Sequence, residues 1–188
     1  MRKIIVSEMV SVDGFFSGPK GELDWHNVDA EFQHWAAEQL NAMDTILFGR
    51  VTYEGMVGYW PNASTKDNIP EIIDKMNNLH KVVISKTLQK ANWNNSSIAS
   101  GDLNEEIMKL KQQPGKDVVI FGSGKLVSGL AKLGLVDEYR LTVNPVVLGS
   151  GVPLFRDMKK RIRLKLIKTK TFKSGNVLLY YRPAKYKR

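Results

Sequence analysis

The stretch Asp117–Leu130, DVVIFGSGKLVSGL, decides how the chain is read. Four β-favouring apolar residues, Val118–Phe121, run into Gly122-Ser123-Gly124, and an amphipathic segment follows without a spacer. A strand that turns through glycines straight into a helix is the opening of a strand–helix–strand unit. The turn allows two uses: glycine supplies positive φ at a bare corner, or lets backbone N–H groups close around a phosphate. Val127 stands where G-x-G-x-x-G needs its third glycine, and the long loop and GK[ST] ending of a P-loop are absent. Alone, the stretch fixes a corner and leaves the cradle open.

The same alternation extends through the chain. Lys3–Val12 reads as a first strand, and Asp29–Met43 places Phe32, Trp35, Ala36, Leu40 and Met43 on one helical face. Thr45–Gly49 is a short buried strand, Thr52–Tyr59 a short helix ended before Pro61, and Pro70 opens a helix to about Asn78. Lys81–Ser85 is a third strand, and a short one is expected near Ser97–Ile98. Asp102 and Glu105 have the form of a capping box, and Leu103, Ile107 and Leu110 mark the buried face of the helix that follows. Leu126–Leu133 is a helix with Gly134 at its C-terminal end. The pattern then changes: Tyr139–Leu148, Arg163–Phe172 and Val177–Arg182 read as three strands, the last two joined by a Lys173–Asn176 turn. An α/β fold is expected, with a central mixed, mostly parallel sheet and an antiparallel C-terminal hairpin. With no repeat, low-complexity tract or linker, residues 1–188 read as a single domain.

Hydrophobic residues at 43% and charged residues at 25% give an ordinary globular balance, and no apolar run approaches the ~20 residues of a membrane helix. The basic N-terminus is interrupted by Glu8 and Asp13 and reads as a strand, so a cytoplasmic location is expected. No cysteine is present, which excludes thiol nucleophiles and Cys-type zinc sites; His26, His34 and His80 show no metal spacing, and no metal is expected. No G-x-S-x-G elbow points to a serine hydrolase. The net charge of +9 is uneven: residues 156–188 hold thirteen basic residues and one acid. Within RIRLKLIKTKTF the cations alternate with apolar residues, the pattern of a strand with one wet face. Such a field also suits an anionic small molecule, or a nucleic acid, for which charge is the sole support.

Three strand ends carry the candidate chemistry. TILFGRVTYE closes its strand at Gly49 and opens a helix with Arg50 and Thr52; VVISKTL ends in Ser85-Lys86; VVIFGSGKL ends in Gly122-Ser123-Gly124-Lys125. In open α/β sheets ligands bind beyond the carboxyl ends of parallel strands. If these strands are parallel neighbours, their rim offers the cations Arg50 and Lys86, the hydroxyls of Thr52, Ser85 and Ser123, and N–H groups at two helix starts, a set suited to phosphates.

The segments FGRVTYE, VVISKTL, VIFGSGKLVSGL and VDEYRLTVNPVVLGSGVPLF, with SVDGFFSGPKGELDW before them, resemble the dihydrofolate reductase superfamily. The resemblance is strongest to a stand-alone member of the branch containing the reductase domain of bacterial riboflavin biosynthesis. It implies a dihydrofolate reductase-like three-layer fold, a homodimer, NADPH as cofactor, and hydride transfer to a small pyrimidine- or pterin-like heterocycle. By motif, Gly49, Arg50 and Thr52 match the turn that holds the dinucleotide phosphates, and Ser85 and Lys86 the pair at the 2′-phosphate. Gly122, Ser123, Gly124, Lys125 and Leu126 match the turn over the pyrophosphate and nicotinamide. The departure lies in the first helix: sixteen residues before Gly49, where folate reductases carry a proton-donating carboxylate, stands Gln33, with Asp29 and Glu31 nearby but in other directions. Ser11-Val12-Asp13-Gly14 matches the branch's first-loop motif. Asp13 is thus the candidate catalytic or substrate-binding residue, or it simply shapes the turn before Gly14. Glu8, on the face of Val6 and Val10, is a site candidate if buried and ordinary if at a strand edge. Trp25 and Trp60 either wall a substrate pocket or pack loops. Two alternatives to the reductase stand: a binding protein that keeps the cradle without the chemistry, and a basic nucleic-acid-binding protein.

Overall fold

The runs IIV, TILF, KVVI and VVI are too continuously apolar to have a wet face, and they become neighbouring strands buried on both sides. The computed structural model of the chain describes residues 1–184. In chain order the elements are β1 (Ile4–Ser11), β2 (Phe15–Ser17), α1 (Ala30–Leu40), β3 (Met43–Gly49) and α2 (Arg50–Tyr59), which runs into a 3-10 turn at Trp60–Asn62. Then come α3 (Pro70–Asn78), β4 (His80–Ile84), β5 (Ser96–Ala99), α4 (Leu103–Gln112), β6 (Asp117–Ile120) and α5 (Gly124–Leu133). The chain finishes with β7 (Glu138–Asn144), β8 (Val152–Pro153), β9 (Leu164–Thr171) and β10 (Val177–Pro183).

Eight strands form one sheet in the order β5-β4-β3-β6-β1-β7-β10-β9. The six from β5 to β7 are parallel, and β10 and β9 join antiparallel. The expected mixed sheet is therefore present, and the antiparallel finish begins one strand later than the sequence pattern implied. On one face Ile4, Val6, Val118 and Ile120 pack against Ile107 of α4 and Val127 and Leu130 of α5. On the other, Ile5, Ile46, Phe48 and Val83 pack with Leu40, Tyr53, Ile72 and Met76 of α1, α2 and α3. Trp35 and Phe172 extend this second layer over β10, where the Trp35 indole N–H donates to the Tyr180 hydroxyl at 3.0 Å. One lysine lies inside a strand for a definite reason. The Lys81 ammonium donates to the carbonyls of Asn77, Leu79 and Asn94 at 2.6–3.0 Å, satisfying the end of α3, and lies over the Trp93 ring.

Several boundaries shift for local reasons. Asp102 caps α4 as expected, accepting from Asn104 and Glu105 N–H, and Gly134 closes α5 in the left-handed conformation. β7 stops at Asn144 because Pro145 has no N–H for the ladder. β9 is the sheet edge, and a register slip opposite Tyr180/Tyr181 breaks its alternation, leaving Leu166 and Ile167 48% and 44% exposed. The single wet face expected of RIRLKLIKTKTF is thus not formed. Of its cations, Lys168 and Lys170 lie over the Tyr180 and Phe172 rings. Lys185, Lys187 and Arg188 of the basic tail lie outside the described residues.

β2 and β8 form a two-stranded antiparallel clasp that the sequence pattern did not announce. The chain enters it through Gly151, where an added Cβ would lie 2.4 Å from the Ser17 carbonyl oxygen. Gly151→Ala is therefore expected to destabilise the protein by about 1–3 kcal/mol, lowering Tm by roughly 3–10 °C in thermal denaturation. An unchanged Tm would show that β8 can move off Ser17 without loss.

Candidate functional site

β4, β3 and β6 are parallel neighbours, so the three strand ends singled out by sequence meet on one rim. The register pairs Gly49 with Ile84 and Leu47 with Ile120. Continued, it brings Arg50 level with Ser85 and Gly49 level with Gly122.

A single hydroxyl ties two of these ends. Gly49 N–H donates to Ser123 Oγ at 2.8 Å, and the Ser123 hydroxyl donates to Thr52 Oγ1 at 2.8 Å. To reach this position Gly122 and Ser123 both adopt φ of 66°, in the left-handed region. Two glycines are needed on steric grounds: a Cβ on Gly122 would lie 2.6 Å from Thr52 Cγ2, and one on Gly124 2.6 Å from the Phe16 ring. No side chain caps α2 or α5. Their first-turn N–H groups, Arg50–Thr52 and Gly124–Leu126, are therefore left without side-chain caps, as two partly positive helix starts at neighbouring strand ends.

The remaining expected residues divide. Arg50 is exposed and bonds Glu54 Oε1 at 3.1 Å, while Lys86 and Lys125 are exposed on the neighbouring ends. Ser85 is buried, and its oxygen accepts from the N–H groups of Thr87 and Leu88, shaping the turn that carries Lys86. Leu126 is buried beneath the α5 start. Asp13 accepts from Gly149 N–H at 2.8 Å and Leu148 N–H at 3.2 Å, pinning the 147–149 loop. The Ser11 hydroxyl, and then those two N–H groups, hold its carboxyl below the ordinary value. Asp13 is exposed, and in this geometry its carboxyl ties the first loop to the 147–149 loop.

Asp29, Glu31 and Gln33, at and within the start of the first helix, are all occupied. Asp29 accepts from Phe32 N–H as the α1 cap. Glu31 bonds Lys170 and the Lys173 N–H, which lower its pKa. Gln33 donates to the Asp67 carbonyl at 2.9 Å and accepts from Ile69 N–H at 2.8 Å, bracing the loop before α3. Glu8 behaves otherwise. It is 6% exposed on the central strand β1, and its Oε1 has no hydrogen-bond partner. Burial pushes its pKa up to about 8, against the favourable Gly122 N–H. The sequence marked Glu8 by its place between Val6 and Val10, but the decisive fact, that β1 is central, lies in the sheet order.

Trp60 packs in the layer of α2 and α3, and Trp25 donates to the Glu22 carbonyl at 3.2 Å with its ring edge-on to His26, so both serve loop packing. Phe16, which walls the Gly122–Gly124 turn, was not singled out, since nothing in FFSG tells which aromatic faces inward. A concavity of about 460 Å³ opens at the opposite end of the sheet around Arg2, Gln112 and Asp117, away from these groups. Among the described residues no group of His, Asp and Glu could hold a metal ion. Likewise, no helix there is long and apolar enough to cross a membrane.

Comparison with known proteins agrees with this architecture. The uncharacterized protein YyaP of Bacillus subtilis (strain 168) is 39% identical over 180 residues, covering 96% of this chain and 94% of YyaP. Dihydrofolate reductase from Enterococcus faecalis, solved with NADP(H), superposes with a TM-score of 0.67 at 16% identity, over 97% of both chains. The Thermotoga maritima diaminohydroxyphosphoribosylaminopyrimidine deaminase/5-amino-6-(5-phosphoribosylamino)uracil reductase superposes with a TM-score of 0.70 at 15% identity. That match covers 97% of this chain and 57% of the Thermotoga protein. The fold is the dihydrofolate reductase-like one, and residues 2–178 match the RibD C-terminal domain, the family to which this chain belongs.

Proposed function

We propose that the protein is an NADPH-dependent reductase acting on a small heterocycle of pyrimidine or pterin type. The observation that carries this reading is the pair of uncapped helix starts locked side by side by Ser123, with Arg50 and Lys86 beyond them. Two adjacent N–H clusters suit a pyrophosphate, and two cations one strand further suit a third phosphate. Membership of the RibD C-terminal domain family and the fold shared with an NADP(H)-bound reductase support the same assignment.

In this reading the α2 and α5 N–H groups bind the pyrophosphate, and Gly122 lets it approach the backbone closely. Thr52 keeps a hydroxyl proton to donate, since it accepts from Ser123. Arg50 exchanges its exposed bond with Glu54, a pair contributing about 0.3–0.5 kcal/mol, for the 2′-phosphate, which Lys86 reaches from β4. Bound NADPH would supply the hydride. Asp13 remains ionised at the mouth, where a carboxylate suits the amino or hydroxyl donors of a substrate. A binder without catalysis is the second reading, favoured by Asp29, Glu31 and Gln33 all being occupied on α1.

Thermal denaturation separates these readings from a protein with no nucleotide site. NADPH at about a hundred times Kd adds ~2.7 kcal/mol, a rise in Tm of roughly 5–10 °C for a chain this size. No shift with NADPH or NADH rules out both. Arg50→Ala and Lys86→Ala are each expected to reduce the preference for NADPH over NADH several-fold. Preference undiminished in the double variant would remove these residues from the 2′-phosphate. NADPH oxidation followed with pteridines and aminopyrimidines then distinguishes enzyme from binder.

A further inference from the structure

β1 is bonded to β6 only over Ile4–Val6, because β6 ends at Ile120 and turns away, whereas its pairing with β7 continues to Ser11. From Ser7 onward the β6 side of β1 has no strand beside it. Extending the register places Glu8 level with Gly122, on the same face as Val6 and Val10 and within the apolar layer that includes Leu126 and Phe16. The carboxyl there is enclosed; the Gly122 N–H favours its charged form, but burial outweighs that contact, and its Oε1 finds no protein partner. A buried charge without a partner is far costlier than a neutral acid, and a neutral acid carries an O–H that needs an acceptor. A buried polar group left unpaired in a native protein calls for such an explanation.

The strand order supplies the acceptor's direction. From β4 through β3 and β6 to β1 is three strand spacings, ~14 Å. A dinucleotide held by its phosphates at the β4 and β3 ends and crossing the glycine turn brings its far end to β1. That end is a flat ring with one carboxamide, whose carbonyl can accept from one neutral donor set among apolar side chains. Asp13, Asp29, Glu31 and Gln33 are each held by other partners and do not compete for this role.

We propose that Glu8 is a ligand-binding acid, which in its neutral form donates a hydrogen bond to the carbonyl oxygen at the nicotinamide end of the bound dinucleotide. This rests on the NADPH reading above and adds to it a proton held in the site. Binding then weakens as Glu8 ionises, near pH 8 in the free protein. Other groups on the surrounding elements do not obscure that window. The Tyr139 phenol on β7 is pushed up to about 12, and His26, packed near Phe16, is pushed down to about 4. Glu138 and Arg140 lie on the opposite face of β7 and bond each other, and Lys125 on α5 is exposed.

The test is the Kd of NADPH between pH 7 and pH 9.5, beside that of 2′-phospho-ADP-ribose, which has the phosphates without the nicotinamide ring. Both are measured for the natural protein and for Glu8→Gln, which keeps a donor but cannot ionise. For the natural protein NADPH binding is expected to weaken about tenfold per pH unit above roughly pH 8. Glu8→Gln should stay within about threefold across the range, and the ring-less fragment should show no such slope in either protein. A flat profile in the natural protein, the same slope in Glu8→Gln, or the same slope with the fragment would each overturn the proposal. NADPH binding with a flat profile removes Glu8's role and leaves the cofactor reading standing; no NADPH binding at any pH removes both. If Glu8→Gln does not fold, proton uptake by the natural protein on NADPH binding at pH 8.5, measured in two buffers, decides. Uptake approaching one proton supports the proposal, and no uptake overturns it.

Discussion

The Ser123 hydroxyl stands between the ends of two parallel strands, accepting from the last N–H of β3 and donating to the first turn of α2. That position requires a left-handed backbone at both Gly122 and Ser123, at an energetic cost for the non-glycine residue. In return the starts of α2 and α5 are fixed in relative height, with no side-chain hydrogen bond capping either. The glycine turn of the rim takes its position from this contact. Gly122 fits against Thr52, Gly124 against Phe16, and Phe16 is held in place by the β2–β8 clasp.

The fold was largely legible because its signals are local. Continuous apolar runs gave the central strands, Asp102 and Pro70 gave helix starts, and Gly134 gave a helix end. The convergence of Gly49, Ser85 and Gly122 on one rim required only that three strands be parallel neighbours, as the alternation of strand and helix implies. What escaped was set by distant partners. β8 is two residues long and exists because β2 lies opposite, and β9 loses its alternation through a slip that its own sequence does not mark. Phe16 and Gln33 matter through contacts with residues far along the chain. Glu8 could be seen as unusual but not weighed, because its environment depends on where β6 stops.

The chain places its cations and its acids differently. Several acids are engaged: Asp29 caps, Glu31 and Glu138 meet cations, and Asp13 holds backbone N–H groups. Several cations instead stand at the ends of β3, β4 and β6 or lie over rings along β9 and β10. A net charge of +9 is therefore partly a surface property of the far edge and partly a local field at the strand ends. Only the second part bears on a phosphate-bearing ligand.

Gln33 illustrates how a structural bond can close a chemical option. Its amide uses both ends at once, a donor to the Asp67 carbonyl and an acceptor for Ile69 N–H. An ionised carboxylate of the same length could keep the second bond but would set its charge against the Asp67 oxygen. Converting this position to an acid by a single substitution would thus loosen the loop before α3 while supplying the proton donor. Loop anchorage and the absence of an acid at this position of the first helix are thus joined in one side chain. An acid at position 33 would leave the Asp67 carbonyl in need of another donor to hold the loop.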